Sequence, residues 1–178
     1  MIDADPAQVR STAQRAGQLD IVRRTSMGMV VALLIQYALG MVVNLYVTVP
    51  ARDHGGGFLA AIGRAFANGP AALAIHAGLG LLILLGTISL VVRSVLTRRR
   101  PVIWLSAVTL LAVLGAASSG AAFVNSSTNG ASLSMALLTG VALLCLTVNL
   151  YLTGEPGAAP AAVRRTAETR DGTRQDAA

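Results

Sequence analysis

The chain has 178 residues, 54% hydrophobic and 12% charged, with a mean hydropathy of +0.64, a balance too apolar for an ordinary water-soluble domain of this size. All 14 positive charges are arginine and the net charge is +6, but they sit in the tails and the short connections. That distribution excludes a folded nucleic-acid-binding surface and favours anionic phospholipid head groups as the partner.

The first 25 residues form a basic segment. Within it Asp5-Pro6-Ala7-Gln8 has the form of a helix start, with Asp5 as cap and Pro6 in the first turn. A short basic helix is expected to lie along the inner membrane surface there, before the first span. Residues 26–49 follow as the first span: a bilayer core of roughly 30 Å takes about 20 helical residues to cross, and the run holds no Asp, Glu, Lys or Arg. It is longer than a signal-peptide core of about 7 to 15 residues and no small-residue cleavage site follows it, so it reads as a retained anchor. Gln36, Gly40, Asn44 and Thr48 recur every four residues along it, which places a polar and small stripe toward the other helices.

The connection 50–70 is the one long enough for structure of its own. After Gly55-Gly56-Gly57, the residues Phe58, Ile62 and Phe66 recur every four positions, predicting a short interfacial helix with these three on one face against lipid or the bundle top. Residues 71–92 are the second span, with Ala72, His76 and Gly80 repeating the stripe of span one. His76 is the one histidine in a span. An ionisable side chain there is a functional candidate, because hydrocarbon makes an unpartnered imidazole costly. It lies about 7 Å inside the end of its span, and the same rise per residue puts Asn44, Ser119 and Met135 near that depth. Together with Gln36 they are predicted to form one polar layer, with His76 facing the bundle interior near Asn44 and Met135.

Residues 93–101 carry Arg93, Arg98, Arg99 and Arg100. With Arg23 and Arg24, the three consecutive arginines are the predicted contacts to anionic lipid, each worth about 1 kcal/mol near a charged leaflet. Spans three and four are 102–124 and 131–153. Ala112, Ala116 and Gly120 in the one, and Ala136 and Gly140 in the other, follow the small-xxx-small pattern that lets helices approach closely. Asn125-Ser126-Ser127 fits a glycosylation sequon. From residue 154 to 178 an Ala/Pro/Arg-rich tail has nothing to bury and is expected to be disordered. Cys145, the single cysteine, lies within span four, so neither a disulfide framework nor a multi-cysteine metal site is implied.

Arginine counts orient these elements. Four precede span one, four join spans two and three, and four follow span four, whereas the other two connections hold Arg52 and Arg64. Twelve against two predicts both tails and the middle connection in the cytoplasm. Trp104, Tyr151 and Tyr46 fall where aromatic rings line membrane interfaces. The expectation is an all-α, multi-pass protein of the cell membrane, four helices in an up-down bundle with cytoplasmic termini.

Absent chemistry narrows the function. The spans hold no carboxylate for proton coupling, no Cys-x-x-Cys, no HExxH, no nucleophile elbow and no Ser/His/Asp set. Three segments, Gly40-Met41-Val42-Val43-Asn44-Leu45-Tyr46-Val47-Thr48-Val49-Pro50, Ala74-Ile75-His76-Ala77-Gly78-Leu79-Gly80 and Gly120-Ala121-Ala122-Phe123-Val124-Asn125, resemble small uncharacterised four-helix integral membrane proteins of high-GC Gram-positive (actinobacterial) bacteria. The resemblance covers about residues 30–152 and implies membrane residence without a defined activity. More distantly, His76 followed by Gly80 is similar to the helix pairs that hold haem in haem A synthase and b-type membrane cytochromes. That likeness implies a haem axial ligand at His76, with Met135 or the His76 of a second copy opposite it. The favoured expectation is a non-catalytic accessory or complex subunit without a cofactor, bound to a membrane protein partner or to its own copy. A haem-binding electron-transfer component and a small dimeric transporter are the alternatives.

Overall fold

A computed structural model of the chain describes residues 6–46, 57–67, 69–126 and 128–154. The Asp5 cap, Thr48, Gly55-Gly56, Ser127 and the tail past Gly154 lie outside them. The described residues form five helices and no strand: α1 Pro6–Tyr46, α2 Phe58–Ala67, α3 Ala71–Thr97, α4 Arg100–Ser126 and α5 Asn129–Thr153. All but α2 are long and apolar enough to cross a membrane.

Two boundaries differ from those the sequence predicts. The surface helix and span one are a single helix of 41 residues, because after Pro6 only the isolated glycines Gly17, Gly28 and Gly40 interrupt it and an isolated glycine weakens a helix without ending it. Val22 and Ser26 are both fully buried, so packing begins inside the basic segment. At the other boundary, α3 runs on to Thr97 and α4 starts at Arg100, which shrinks the connection to Arg98 and Arg99. Arginine at a helix end is no barrier to helix formation. The stop is a left-handed residue, Arg98 at φ 55°, whose N–H reaches the Val95 carbonyl at 3.1 Å. Thr97 secures the turn by donating to the Ser94 carbonyl at 2.7 Å and accepting from the Arg99 N–H at 3.3 Å.

The four long helices form a ring in which α1 packs on α3 and α5, and α4 packs on the same two. Their polarity is the reverse of a soluble bundle. Leucines 45, 82, 111 and 144 are each about two-thirds exposed, while Ser26, Thr87, Ser94 and Ser106 are fully buried. A continuous apolar exterior of this extent belongs against lipid, and the buried hydroxyls are satisfied locally, as in Thr87 to the Ile83 carbonyl at 2.7 Å and Thr109 to the Leu105 carbonyl at 2.8 Å. Trp104, Tyr46 and Tyr151 are exposed near helix ends.

Two apolar clusters hold the bundle. One joins Val22, Met29, Leu33, Ile83, Leu90, Val102 and Leu146 through its middle and the end nearest Arg98. The other joins Val43, Ala61, Ala65, Leu73, Ala121 and Val124 at the opposite end, where α2 seats itself. On α2 the most buried residues are Ala61 and Ala65. Phe58, Ile62 and Phe66 flank that line, with Phe58 and Phe66 about half exposed, because small side chains let the α2 backbone sit close to α3 and α4. Arg64 fixes it by donating to Asn125 Oδ1. The asparagine of the sequon thus anchors α2.

Candidate functional site

Gln36 on α1 and His76 on α3 meet inside the bundle. The Gln36 side-chain nitrogen lies 3.0 Å from the His76 carbonyl and 3.3 Å from His76 Nε2. A carbonyl oxygen only accepts, so the group facing it is the amide NH2, and its second hydrogen goes to Nε2. Nε2 therefore accepts, and the proton of the neutral ring resides on Nδ1.

Glycines create the room for this contact, and they do so reciprocally. A Cβ at Gly40 would lie 3.2 Å from His76 Cε1, and a Cβ at Gly80 would lie 3.1 Å from Gln36 Nε2. Each helix thus offers a polar side chain and, four residues on, a glycine that receives the polar side chain of its partner. The four-residue stripes read from the sequence as packing signals are a lock between α1 and α3.

Beside this pair lies a cavity of about 200 Å³ walled by all five helices. Its lining includes Gln36, Gly40 and Asn44 from α1, Phe58 and Ile62 from α2, and His76 and Gly80 from α3, with Gly120 from α4 and Ser132 and Met135 from α5. The rest of the wall is largely aliphatic, and His76 is its only ionisable side chain apart from Tyr37. Two polar atoms of the lining residues, Gln36 Oε1 and His76 Nδ1, are buried without a hydrogen-bond partner. Leaving such groups unsatisfied costs about 1 to 3 kcal/mol each.

Of the residues predicted to form the polar layer, Gln36, Asn44, His76 and Met135 line the cavity and Ser119 does not, although its neighbours Ala116, Ala117 and Gly120 do. The partner of His76 is Gln36, while Asn44 accepts from Ser132 Oγ at 3.0 Å. Depth arithmetic places residues along the membrane normal but carries no information on which way each faces around its helix. Arg23, Arg24, Arg98, Arg99 and Arg100 are exposed at the far end of the bundle. Arg24 is paired with Asp20 at 2.9 Å, an exposed contact of small energetic weight.

The sequence reading missed a second polar cluster, toward the Arg98 end. Asn149 of α5 donates to Ser106 of α4 at 3.3 Å and to Ser26 of α1 at 3.5 Å. Ser94 of α3 and Ser106 share a 2.7 Å bond, and Ser106 donates to the Val102 carbonyl at 2.8 Å, so Ser94 is the donor of that pair. One residue from each long helix meets there, and Asn149, 1% exposed, is the hub. The available signal was a lone asparagine in an apolar run, which marks a helix-facing position much as a histidine does.

Among the described residues no three His, Cys, Asp or Glu side chains gather as a metal ion would require. No known protein family, curated protein or solved structure matches this chain.

Proposed function

We propose that the chain is a non-catalytic accessory protein of the cell membrane, an up-down bundle with both termini in the cytoplasm, which acts by binding at the cavity beside Gln36 and His76. The observation that carries this reading is the cavity itself: a sizeable space within a bundle of membrane-spanning length, with one polar corner in an aliphatic wall. Its chemistry favours binding over catalysis. The His76 ring nitrogen Nε2 is engaged by an amide, and the Ser132 hydroxyl is committed to Asn44, so no nucleophile stands beside a base.

The up-down arrangement is supported by the crossing of Gln36 on Gly80 with His76 on Gly40, which pairs rising numbers on α1 with falling numbers on α3. Orientation rests on the arginine split. It puts Arg23, Arg24 and Arg98 to Arg100 against the anionic inner leaflet and α2 on the outer side. Gly28 and Gly140, with no neighbour near them, leave outward positions where a partner helix or a second copy can approach. Single cysteines at Ser127 and Thr166 in a Cys145→Ala background test the orientation with a membrane-impermeant thiol reagent on intact cells. Labelling is expected at residue 127 and not at 166, and the opposite pattern would overturn it.

A second reading draws on the presence of His76 and Met135 in one cavity wall, as a His/Met haem ligand pair would require. Against it, Nε2 already accepts from Gln36. Protein produced with ample haem is expected to show no Soret band, and a band lost in His76→Ala would put the haem reading first. The same variant removes a side-chain contact between α1 and α3, so its stability is expected to fall by about 0.6 to 2 kcal/mol. Unchanged stability would mean that the pair does not hold the helices together.

A further inference from the structure

The cavity is long rather than round. Its wall runs from Leu33 to Asn44 on α1, from Leu73 to Leu84 on α3 and from Val113 to Val124 on α4, which at about 1.5 Å per residue is roughly 16 Å on each helix. Gly40 lies level with His76 and Gly80 with Gln36. Leu33 and Ile83 therefore share one end, near the middle of the bundle, while Asn44 and Leu73 share the other, where α2 is seated. A volume of about 200 Å³ drawn out over that length leaves the width of one hydrocarbon chain and not of two. The space is not enclosed. Tyr37 and Met41 of α1, Phe58 of α2 and Leu81 of α3 line it and are 41% to 47% exposed, on the exterior that belongs against lipid.

Water has little to hold it there. Gln36 gives its amide to His76, Ser132 its hydroxyl to Asn44, and Thr139 its hydroxyl to the Met135 carbonyl at 2.8 Å. The orphaned Gln36 Oε1 and His76 Nδ1 are themselves sealed from the space, whereas a buried water needs about two to four polar partners. No Lys or Arg lines the wall to hold a carboxylate or phosphate inside. What reaches the opening is the hydrocarbon of the bilayer, and half of its thickness, roughly 15 Å, matches the length of the wall. We propose that the cavity takes up one straight acyl chain of a membrane phospholipid from the leaflet on the α2 side. The acyl chain enters sideways, with its methyl end at Leu33, Ile83 and Val113 and its head group outside the bundle at the Asn44 end. The inference rests on the reading that the protein acts by binding at this cavity, and it adds the ligand class and the direction in which the ligand lies.

The test places the purified full-length protein in phosphatidylcholine vesicles with a trace of phosphatidylcholine that carries a photoreactive diazirine in one acyl chain, near its methyl end or near the glycerol. This zwitterionic head group keeps the arginines of the far end out of the comparison. Cross-links are located residue by residue by mass spectrometry. Leu33, Ile83 and Val113 are 3% to 6% exposed, so lipid around the bundle touches the exposed Leu111 and Leu144 but not these three. The methyl-end probe is expected to label the three, and the glycerol-end probe to label the wall near Asn44 and Val124. In Ala117→Phe, which fills the cavity, and in Ala136→Leu should the first variant not fold, the interior labels are expected to vanish while those at Leu111 and Leu144 stay.

A second measurement, fluorine NMR of para-fluorotoluene with the protein in detergent, takes the filled variant as its background. If this probe binds saturably while the three interior residues stay unlabelled by lipid, the binding cavity stands and the acyl-chain inference alone falls. If neither result is positive, the underlying reading falls with it. Interior labelling by a diazirine fatty acid but not by the phospholipid overturns the assigned source. Interior labelling that survives the filled variants overturns the cavity as its place, and a reversed order of the two lipid probes overturns the direction.

Discussion

Replacing Asn149 by alanine is expected to destabilise the bundle by about 2 to 3 kcal/mol, whereas Asn149→Leu is expected to cost only about 1 kcal/mol. Asn149 is 1% exposed and its amide donates to Ser106 and Ser26 on two other helices. Both contacts are long, so each carries weight near the ~0.6 kcal/mol average for a hydrogen bond in a membrane bundle. The larger part of the alanine penalty is the void left where α5 faces Ser26 and Ser106. Both variants remove Oδ1, which has no partner in the native bundle, and leucine alone fills the void, so volume separates the two. The check is reversible unfolding in mixed micelles, followed by circular dichroism, for the three proteins. Equal losses for alanine and leucine would show that the amide, not the volume, carries the site.

Valine at Gly40 or Gly80 is expected to separate α1 from α3 and to cost about 1 to 3 kcal/mol in either case. A Cβ at these positions already comes within 3.2 Å of His76 Cε1 and 3.1 Å of Gln36 Nε2, and valine adds two methyl groups in the same direction. Alanine requires a shift of a few tenths of an ångström and should be tolerated far better. Because both glycines serve one contact, the double valine variant should lose less than the two single losses combined. Gly28 provides the control. No atom lies within 4 Å of a Cβ there, so Gly28→Ala should be neutral or stabilising by up to about 1 kcal/mol. The same unfolding assay decides the matter, and valine at Gly40 behaving like alanine at Gly28 would mean that the two helices do not meet as described.

The number of long apolar helices was legible in the sequence for one reason: a bilayer rejects charge and demands about 20 apolar residues per crossing. Those are properties of composition along the chain, so segments such as 71–92 and 131–153 announce themselves without any partner. The short helix near Phe58 was legible too, from its four-residue spacing and its flanking glycines. The continuity of α1 through residue 26 and the turn at Arg98 were not. Charge marks where hydrocarbon ends, while a helix ends where its hydrogen bonds do, and these differ by a turn or more at both places.

The tertiary structure alone decided which residues on those helices face one another. Gln36, Gly40, His76 and Gly80 stand out in the sequence as two polar-and-small stripes, but only the crossing of α1 over α3 makes each glycine the seat of the opposite polar side chain. Counting residues places Asn44 and His76 at one depth, yet His76 packs level with Gly40, one turn from Asn44, and the two bond to different helices, because the axial offset between two packed helices is set by their contacts and not by the count. Ser26, Ser94, Ser106 and Asn149 lie 12 to 123 residues apart, and beyond the lone asparagine nothing in the sequence marks the three serines as a set. Hydrocarbon offers them no other partner, so the fold gathers them at one point between four helices. Local composition therefore set how many times this chain crosses the membrane, and long-range packing in a solvent without hydrogen bonds set where its polar atoms, and with them its candidate site, came together.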